Sequence, residues 1–348
     1  MASKLTHSIA LVAVAALLLT SFQSTGSAMA STQPYQAVIH GSGCGDPIKI
    51  SALDQKGQVT SQRTLVRGKP GFQLSAKAVS TDDTQLLFTS YDCTNKNHTL
   101  YRQYFGRRPV AQPLMTLPVG WWMEGVAWDI ARGTPAVLIR DPDFNYQLQA
   151  LLGGGWTTLW AGNRASFGGK FPDDLESRSG YEYLIVGDDL GGAWSMWRLS
   201  TSGSFSGFLS ESLTGPGEIN SIADGFSDRV NAYVGPDGTW ICDWSASGTI
   251  QEAITQGKCA TVPGGAGYYG VTILGEQDKE WLVLNHLLGP SSQTEFECIG
   301  KNFLSCGSPV VGKRETSRLD GNDFVYMYIG ESRRFLKKPF NRLGSSRI

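Results

Sequence analysis

The chain has 348 residues, with 30 Lys and Arg against 31 Asp and Glu, and this near-neutral balance leaves no electrostatic footprint for nucleic acid. Only 18% of residues are charged while glycine reaches 42, a composition that fits a turn-rich β protein with a large buried core. Beyond the first thirty residues no apolar stretch is long enough to span a bilayer, so the chain is not expected to be membrane-embedded.

Residues 1–30 read as a signal peptide. Lys4 supplies a positive start, Ile9 to Leu19 an apolar run too short to span a membrane, and Ala28-Met29-Ala30 a small-residue cleavage site. Export to a periplasmic or extracellular location follows, and no cysteine near the cleavage point argues for a lipid anchor. One β domain is expected over 31–341, with a short basic tail, read as solvated, over 342–348.

Seven apolar strands then recur, each followed by a polar turn and a second strand: QAVIHG (36–41), QLLFTSY (85–91), PAVLIR (135–140), YEYLIVG (181–187), RVNAYVG (229–235), YGVTILG (269–275) and DFVYMYIG (323–330). Their spacing of about 48 residues marks a radial array of small sheets. One unit shows the grammar in full. Met123 to Asp129 is an innermost strand, Pro135 to Arg140 the second, Tyr146 to Leu152 the third and Trp156 to Trp160 the fourth, joined by turns such as Gly153-Gly154-Gly155. The expectation is an all-β propeller of four-stranded antiparallel blades. Seven strand pairs favour seven blades. Six remain open, because the terminal half-units can share one blade and so remove free edges. Aromatic residues, Trp128 and Trp197 among them, are expected to fill the wedges between blades.

The segment Ser80-Thr-Asp-Asp-Thr-Gln-Leu-Leu-Phe-Thr-Ser-Tyr-Asp92, followed by His98-Thr-Leu-Tyr-Arg102, resembles the WD40-like repeats of the TolB-type periplasmic propellers. The resemblance covers about three units, and the family's Pro-Asp-Gly triplet occurs only at Pro236-Asp237-Gly238, in a different turn. It implies an exported propeller that binds other molecules, and it carries over no site residue.

Six cysteines, Cys44, Cys93, Cys242, Cys259, Cys298 and Cys306, read as three disulfides in an exported chain. Proximity pairs Cys298 with Cys306 and Cys242 with Cys259. Cys44 and Cys93 remain, each following the first strand of its repeat at the same offset, as bridged positions on neighbouring units would.

Chemistry is harder to place. Asp141, Asp143 and Asn145 offer oxygen ligands at alternate positions, the start of a calcium loop without its distal glutamate, and also the residues of an ordinary turn. Asp92, Asp188, Asp189, Asp237, Glu276, Asp278 and Glu331 occupy corresponding loops and would ring one mouth of the central channel. Trp121, Trp122 and Glu124 enter an innermost strand, and Asn163-Arg164 precedes the next, so these residues are candidates for the same mouth. A glycosidase needs paired carboxylates, and Glu124, Asp129, Asp173, Asp174 and Glu176 supply acids of that kind, Glu124 and Asp173 among those expected at the mouth. No G-x-S-x-G nucleophile elbow occurs, and no cofactor is implied. The expected function is a non-enzymatic binding module for a protein partner or extracellular glycan. The alternative is a carbohydrate-active enzyme, a glycoside hydrolase or lyase, using carboxylates at that mouth.

Overall fold

The computed structural model describes residues 36–41, 43–53, 59–82, 84–94, 97–106, 109–189, 193–201, 208–216, 221–224, 230–235, 238–243, 248–261, 268–276, 279–288, 291–299, 314–315, 323–328 and 346. The expected signal peptide lies outside these residues. Among the described residues, no helix is long and apolar enough to cross a membrane.

The described strands form six sheets, all built from antiparallel neighbours apart from one short parallel addition. The unit read from sequence appears as β8 (Trp122–Asp129), β9 (Thr134–Arg140), β10 (Asn145–Leu152) and β11 (Gly155–Asn163). Before it comes a blade of β4 (Phe72–Val79), β5 (Gln85–Asp92), β6 (His98–Tyr104) and β7 (Ala111–Thr116). After it comes one of β12 (Phe171–Arg178), β13 (Glu182–Asp188), β14 (Ala193–Ser200) and β15 (Phe208–Pro216). Two further sheets start at β16 (Ser221–Asp224) and β21 (Tyr268–Glu276).

The remaining sheet corrects the count of seven. Its order is β25 (Asp323–Tyr328), β1 (Gln36–Gly41), β2 (Ile48–Leu53) and β3 (Val59–Val66). Residues 323–328, read as opening a seventh pair, instead supply the innermost strand that the N-terminal half-unit lacks. They pair from Gln36↔Tyr328 to Gly41↔Asp323. The physical reason is edge satisfaction: β1 alone would present an unpaired row of backbone groups. The six innermost strands β25, β4, β8, β12, β16 and β21 then contact one another in cyclic order, which closes the ring.

Period-2 alternation explains why second strands read as unbroken apolar runs. In β9, Leu138 faces the seam toward the β12 sheet, while Val137 and Ile139 face the opposite seam with Leu87, Leu100 and Val126. Both faces are buried, so both sets of side chains are apolar. Third strands behave differently. β10 alternates, with Tyr146, Leu148 and Ala150 fully buried and their neighbours half-exposed. Trp128 and Trp197 fill seams as expected, at 8% and 3% exposure.

Two of the expected disulfides are formed. Cys44–Cys93 joins the β1–β2 loop to the β5–β6 loop on the neighbouring blade, with Cα atoms 6.0 Å apart. Cys242–Cys259 ties β18 (Gly238–Asp243) to β20 (Cys259–Thr261), which pair in register at those two residues. The Cys298–Cys306 pair lies outside the described side chains.

Between these two strands lies a feature absent from the sequence reading. Helix α1 (Ile250–Thr255) buries Ile250 and Ala253 in the seam, capped where the Thr249 hydroxyl accepts from the Glu252 amide and the Glu252 carboxylate accepts from the Thr249 amide. The Thr-x-x-Glu spacing is its sequence signal.

Of the segment over 342–348, only Ser346 is among the described residues. Ser346 is 2% exposed, its amide donates to the Leu65 carbonyl at 2.8 Å, and its carbonyl accepts from Arg67 at 2.9 Å. Ser346 is thus held beside β3.

Candidate functional site

Connections from second to third strands and from one blade to the next emerge on the same face. Trp122 stands opposite Arg140 at one end of the β8–β9 ladder, Asp141–Asn145 connects β9 to β10 at that end, Asn163 pairs with Asn145, and the Arg164 amide reaches the Phe144 carbonyl. Their roles there differ.

Asp141 is a turn residue. Its carboxylate accepts from the amides of Asp143 and Asn145, each at 2.9 Å, and from the Asn145 side chain at 2.8 Å. The Asn145 side-chain hydrogen bond is the main reason its pKa falls below the ordinary carboxylate value. Asn163 is a cap: its Oδ1 accepts from Ala165 and Ser166 at the start of a 3-10 turn over Arg164–Phe167. The acids of neighbouring loops serve similarly. Asp92 accepts from the Thr94 amide and hydroxyl, and Asp189 from the Ala193 amide. Among the described residues no group of three His, Cys, Asp or Glu gathers as metal ligands. Asp237, Asp278 and Glu331 lie outside the described residues, as do the side chains of Asp173 and Glu276.

Glu124 occupies a bulge in β8, between Met123 and Gly125, where the register with β9 shifts. The bulge turns its carboxylate toward Arg140, which pairs with it through Nε. Arg140 stands opposite Trp122 in the ladder. Burial is the larger influence on Glu124 and raises its pKa, while Arg140 acts in the opposite sense. A matching bulge occurs at Asp173 in β12. Between the two, the strands approach closely: a Cβ on Gly125 would stand 2.4 Å from the Leu175 Cβ. Glycine is required there by backbone approach.

Around this ion pair lies an aromatic surface. Arg140 is 5.7 Å from the Trp122 ring and 4.8 Å from the Phe144 ring. Phe144 meets Phe171 edge-on at 5.7 Å, and the Arg164 guanidinium lies 3.8 Å from the Phe171 centroid. Arg164 Nε donates to the Gly169 carbonyl at 2.6 Å, and the Arg164 amide donates to the Phe144 carbonyl at 3.1 Å. Trp121 faces inward, packed on the cluster of Leu87, Val126 and Ile139.

Phe144 is the outlier. Residues 142–144 form a three-residue hairpin loop closed by Asp141 and Asn145, with Phe144 at φ 61. That is the left-handed position such loops assign to Gly or Asn, because a Cβ there is strained by about 1–2 kcal/mol. Phe144 is nevertheless 36% exposed. The sequence reading missed it, along with Arg140 and Phe171. Its signal was a large aromatic inside a loop otherwise made of Asp, Pro and Asn.

Two buried polar atoms sit near the ion pair: the Tyr146 hydroxyl and His98 Nε2 have no hydrogen-bond partner among the described residues. Burial and the Glu124 carboxylate push the Tyr146 phenol up to about 12. His98 lies against Tyr91 at 5.5 Å and Trp122 at 5.1 Å. Burial lowers its pKa below 6.5, Lys77 lowers it further, and Asp92 opposes both. The native imidazole thus resists a proton that the unfolded chain accepts. This contribution to stability is complete above pH 6.5 and is lost as pH falls through that value toward the native pKa. Urea midpoints at about pH 7.5 and 5.5 should therefore separate more in the native chain than in His98→Phe, which keeps the ring contacts.

No family model matches the chain, and no curated protein does. Among solved structures, an arginine-to-alanine triple variant of AofleA from Arthrobotrys oligospora aligns with TM-score 0.51 and 10% identity over 86% of this chain and 91% of that one. The β-propeller domain of Cps50 (Swd1) from Myceliophteria thermophila aligns with TM-score 0.43 and 10% identity over 72% and 93% of the two chains. A functionally unknown protein from Desulfotomaculum acetoxidans aligns with TM-score 0.46 and 12% identity over 78% and 77%. At such identities the likeness is one of fold. The closed ring of antiparallel sheets among the described residues makes the chain a β-propeller module, and the alignment at TM-score 0.51 shows a likeness of fold alone.

Proposed function

We propose that this propeller is a non-enzymatic binding module, exported from the cell, that holds a protein segment or extracellular glycan at the mouth framed by Trp122, Phe144 and Phe171. The observation that carries this reading is Phe144, a half-exposed aromatic kept at a left-handed position that Gly or Asn would occupy without strain. A large ring retained there against its own backbone preference points to selection for contact. Arg140 and Arg164 brace the surface against the rings. The two disulfides support the exported location, since such bonds persist in oxidising compartments.

Phe144→Asn is the test, because it keeps the turn while removing the ring. Folding stability should stay within about 0.5 kcal/mol of the native chain, since relief of strain offsets lost ring packing. Retention of glycans on an array, and of partners from the native medium, should fall at least about tenfold. Unchanged retention with unchanged stability would remove Phe144 from the account.

One observation favours a second reading, a glycoside hydrolase or lyase. Glu124 has the raised pKa of a general acid, and Asp173 occupies the equivalent bulge on the adjacent innermost strand. Its engagement with Arg140 favours a positioning role instead. Polysaccharide turnover that Glu124→Gln abolishes would replace the binding reading.

A further inference from the structure

We infer that the mouth takes an acidic saccharide, one bearing a carboxylate or sulfate, with Arg164 receiving the anion and Phe144 stacking on the ring. This rests on the binding reading above and adds the ligand's charge and class.

The cations of this face are unequally engaged. Arg140 is paired with Glu124, which leaves that unit close to neutral. Lys170 donates to the Ser195 hydroxyl, which donates to Glu211, and the lysine stands 3.8 Å from that carboxylate. Arg164 differs. Among the described residues no carboxylate lies within salt-bridge distance of it, and it is exposed to solvent.

Arg164 is nonetheless held in place. The face of its guanidinium is stacked on Phe171, Nε is tied to the Gly169 carbonyl, and its backbone amide is tied to the Phe144 carbonyl. An exposed arginine normally loses much side-chain freedom on binding a ligand; here that loss has already been met by the fold. The planar fork is a fixed donor set, suited to a carboxylate or sulfate in two-point contact.

Phe171 links this cation to the aromatic platform. Phe144 lies 5.7 Å from the Phe171 centroid in an edge contact, and the Arg164 guanidinium lies 3.8 Å over the same ring. Platform and cation therefore stand within reach of one sugar ring and its acidic substituent. An acidic peptide would also answer the charge. The saccharide is favoured because the site offers one ring platform and one anion donor beside the same Phe171 ring, the pairing that one sugar ring with an acidic substituent meets.

The test uses the full mature chain on an array carrying uronate, sialylated, sulfated and neutral glycans, with pentaglutamate measured alongside by calorimetry. Acidic glycans should be retained over neutral ones, and the retention should weaken as sodium chloride rises. Arg164→Gln should lower it at least about tenfold, and Arg164→Lys by less, because charge remains while the planar contact is lost. Arg63→Gln, an exposed arginine on β3, should leave it unchanged. Equal retention of neutral glycans, sensitive to Phe144→Asn but not to Arg164→Gln, would overturn the anionic ligand while leaving the binding reading in place. Binding of pentaglutamate in preference to every glycan would overturn the saccharide. Retention of no glycan at all would overturn this inference too, whereas the binding reading would then stand or fall on Phe144-dependent capture of a protein.

Discussion

Deletion of residues 323–348 should leave a chain that collapses without cooperative folding. Six residue pairs join β25 to β1, and β25 also packs against β4 and β21 on its two sides. Its loss exposes the β1 edge, opens the ring at two seams, and uncovers the side of a cluster containing Ile39, Leu74 and Phe88. Single domains hold only about 5–15 kcal/mol of net stability, so removal of an entire inner strand exceeds what the remaining blades can absorb. The truncated chain should elute as aggregate, with loss of a sharp thermal transition. A monomeric elution and an unchanged transition would show that the ring does not depend on its C-terminal strand.

Replacing Cys44 and Cys93 together by serine should destabilise the oxidised protein by about 4 kcal/mol, the chain-entropy expectation for a loop of this length. The two residues are separated by 49 positions, against 17 for Cys242 and Cys259, whose removal is expected to have the smaller effect of about 3 kcal/mol. The first bridge also ties the closure blade to its neighbour, where Gly45 donates to the Phe72 carbonyl and Cys93 to that of Gly71. Denaturant midpoints measured with and without a reducing agent give the comparison. A native chain whose midpoint is insensitive to reductant would contradict it.

The propeller was legible because its strand pattern is repeated and its turns are marked. The PAVLIR run, the glycine turn at 153–155 and the Tyr146–Leu152 alternation each agree with the strand they form. Blade number was not legible from the same pattern. Residues 323–328 look like any other strand, and only pairing with β1 reveals that they complete the first blade. Helix α1 was marked by Thr249 and Glu252, but six residues give too short a run for helical periodicity to register.

The mouth was half legible. Spacing placed Trp122, Glu124, Asn163 and Arg164 at the ends of strands in equivalent positions of neighbouring units, because equivalent loops of a repeat emerge together. Which of them face solvent and which cap or pack depends on contacts between strands far apart in the chain. Asn163 spends its oxygen on a turn, Trp121 faces the core, and Glu124 meets a guanidinium sixteen residues away. Phe144 is not legible in sequence because its strain is a backbone property, set by φ.

The strand repeat, the seam-filling aromatics and the two observed cysteine pairings all follow from local pattern and equivalent position along the chain. Ring closure and the character of the mouth depend instead on how distant segments meet. Closure requires the pairing of distant ends, and the mouth depends on which charges neutralise one another. Neither quantity is written in any single segment.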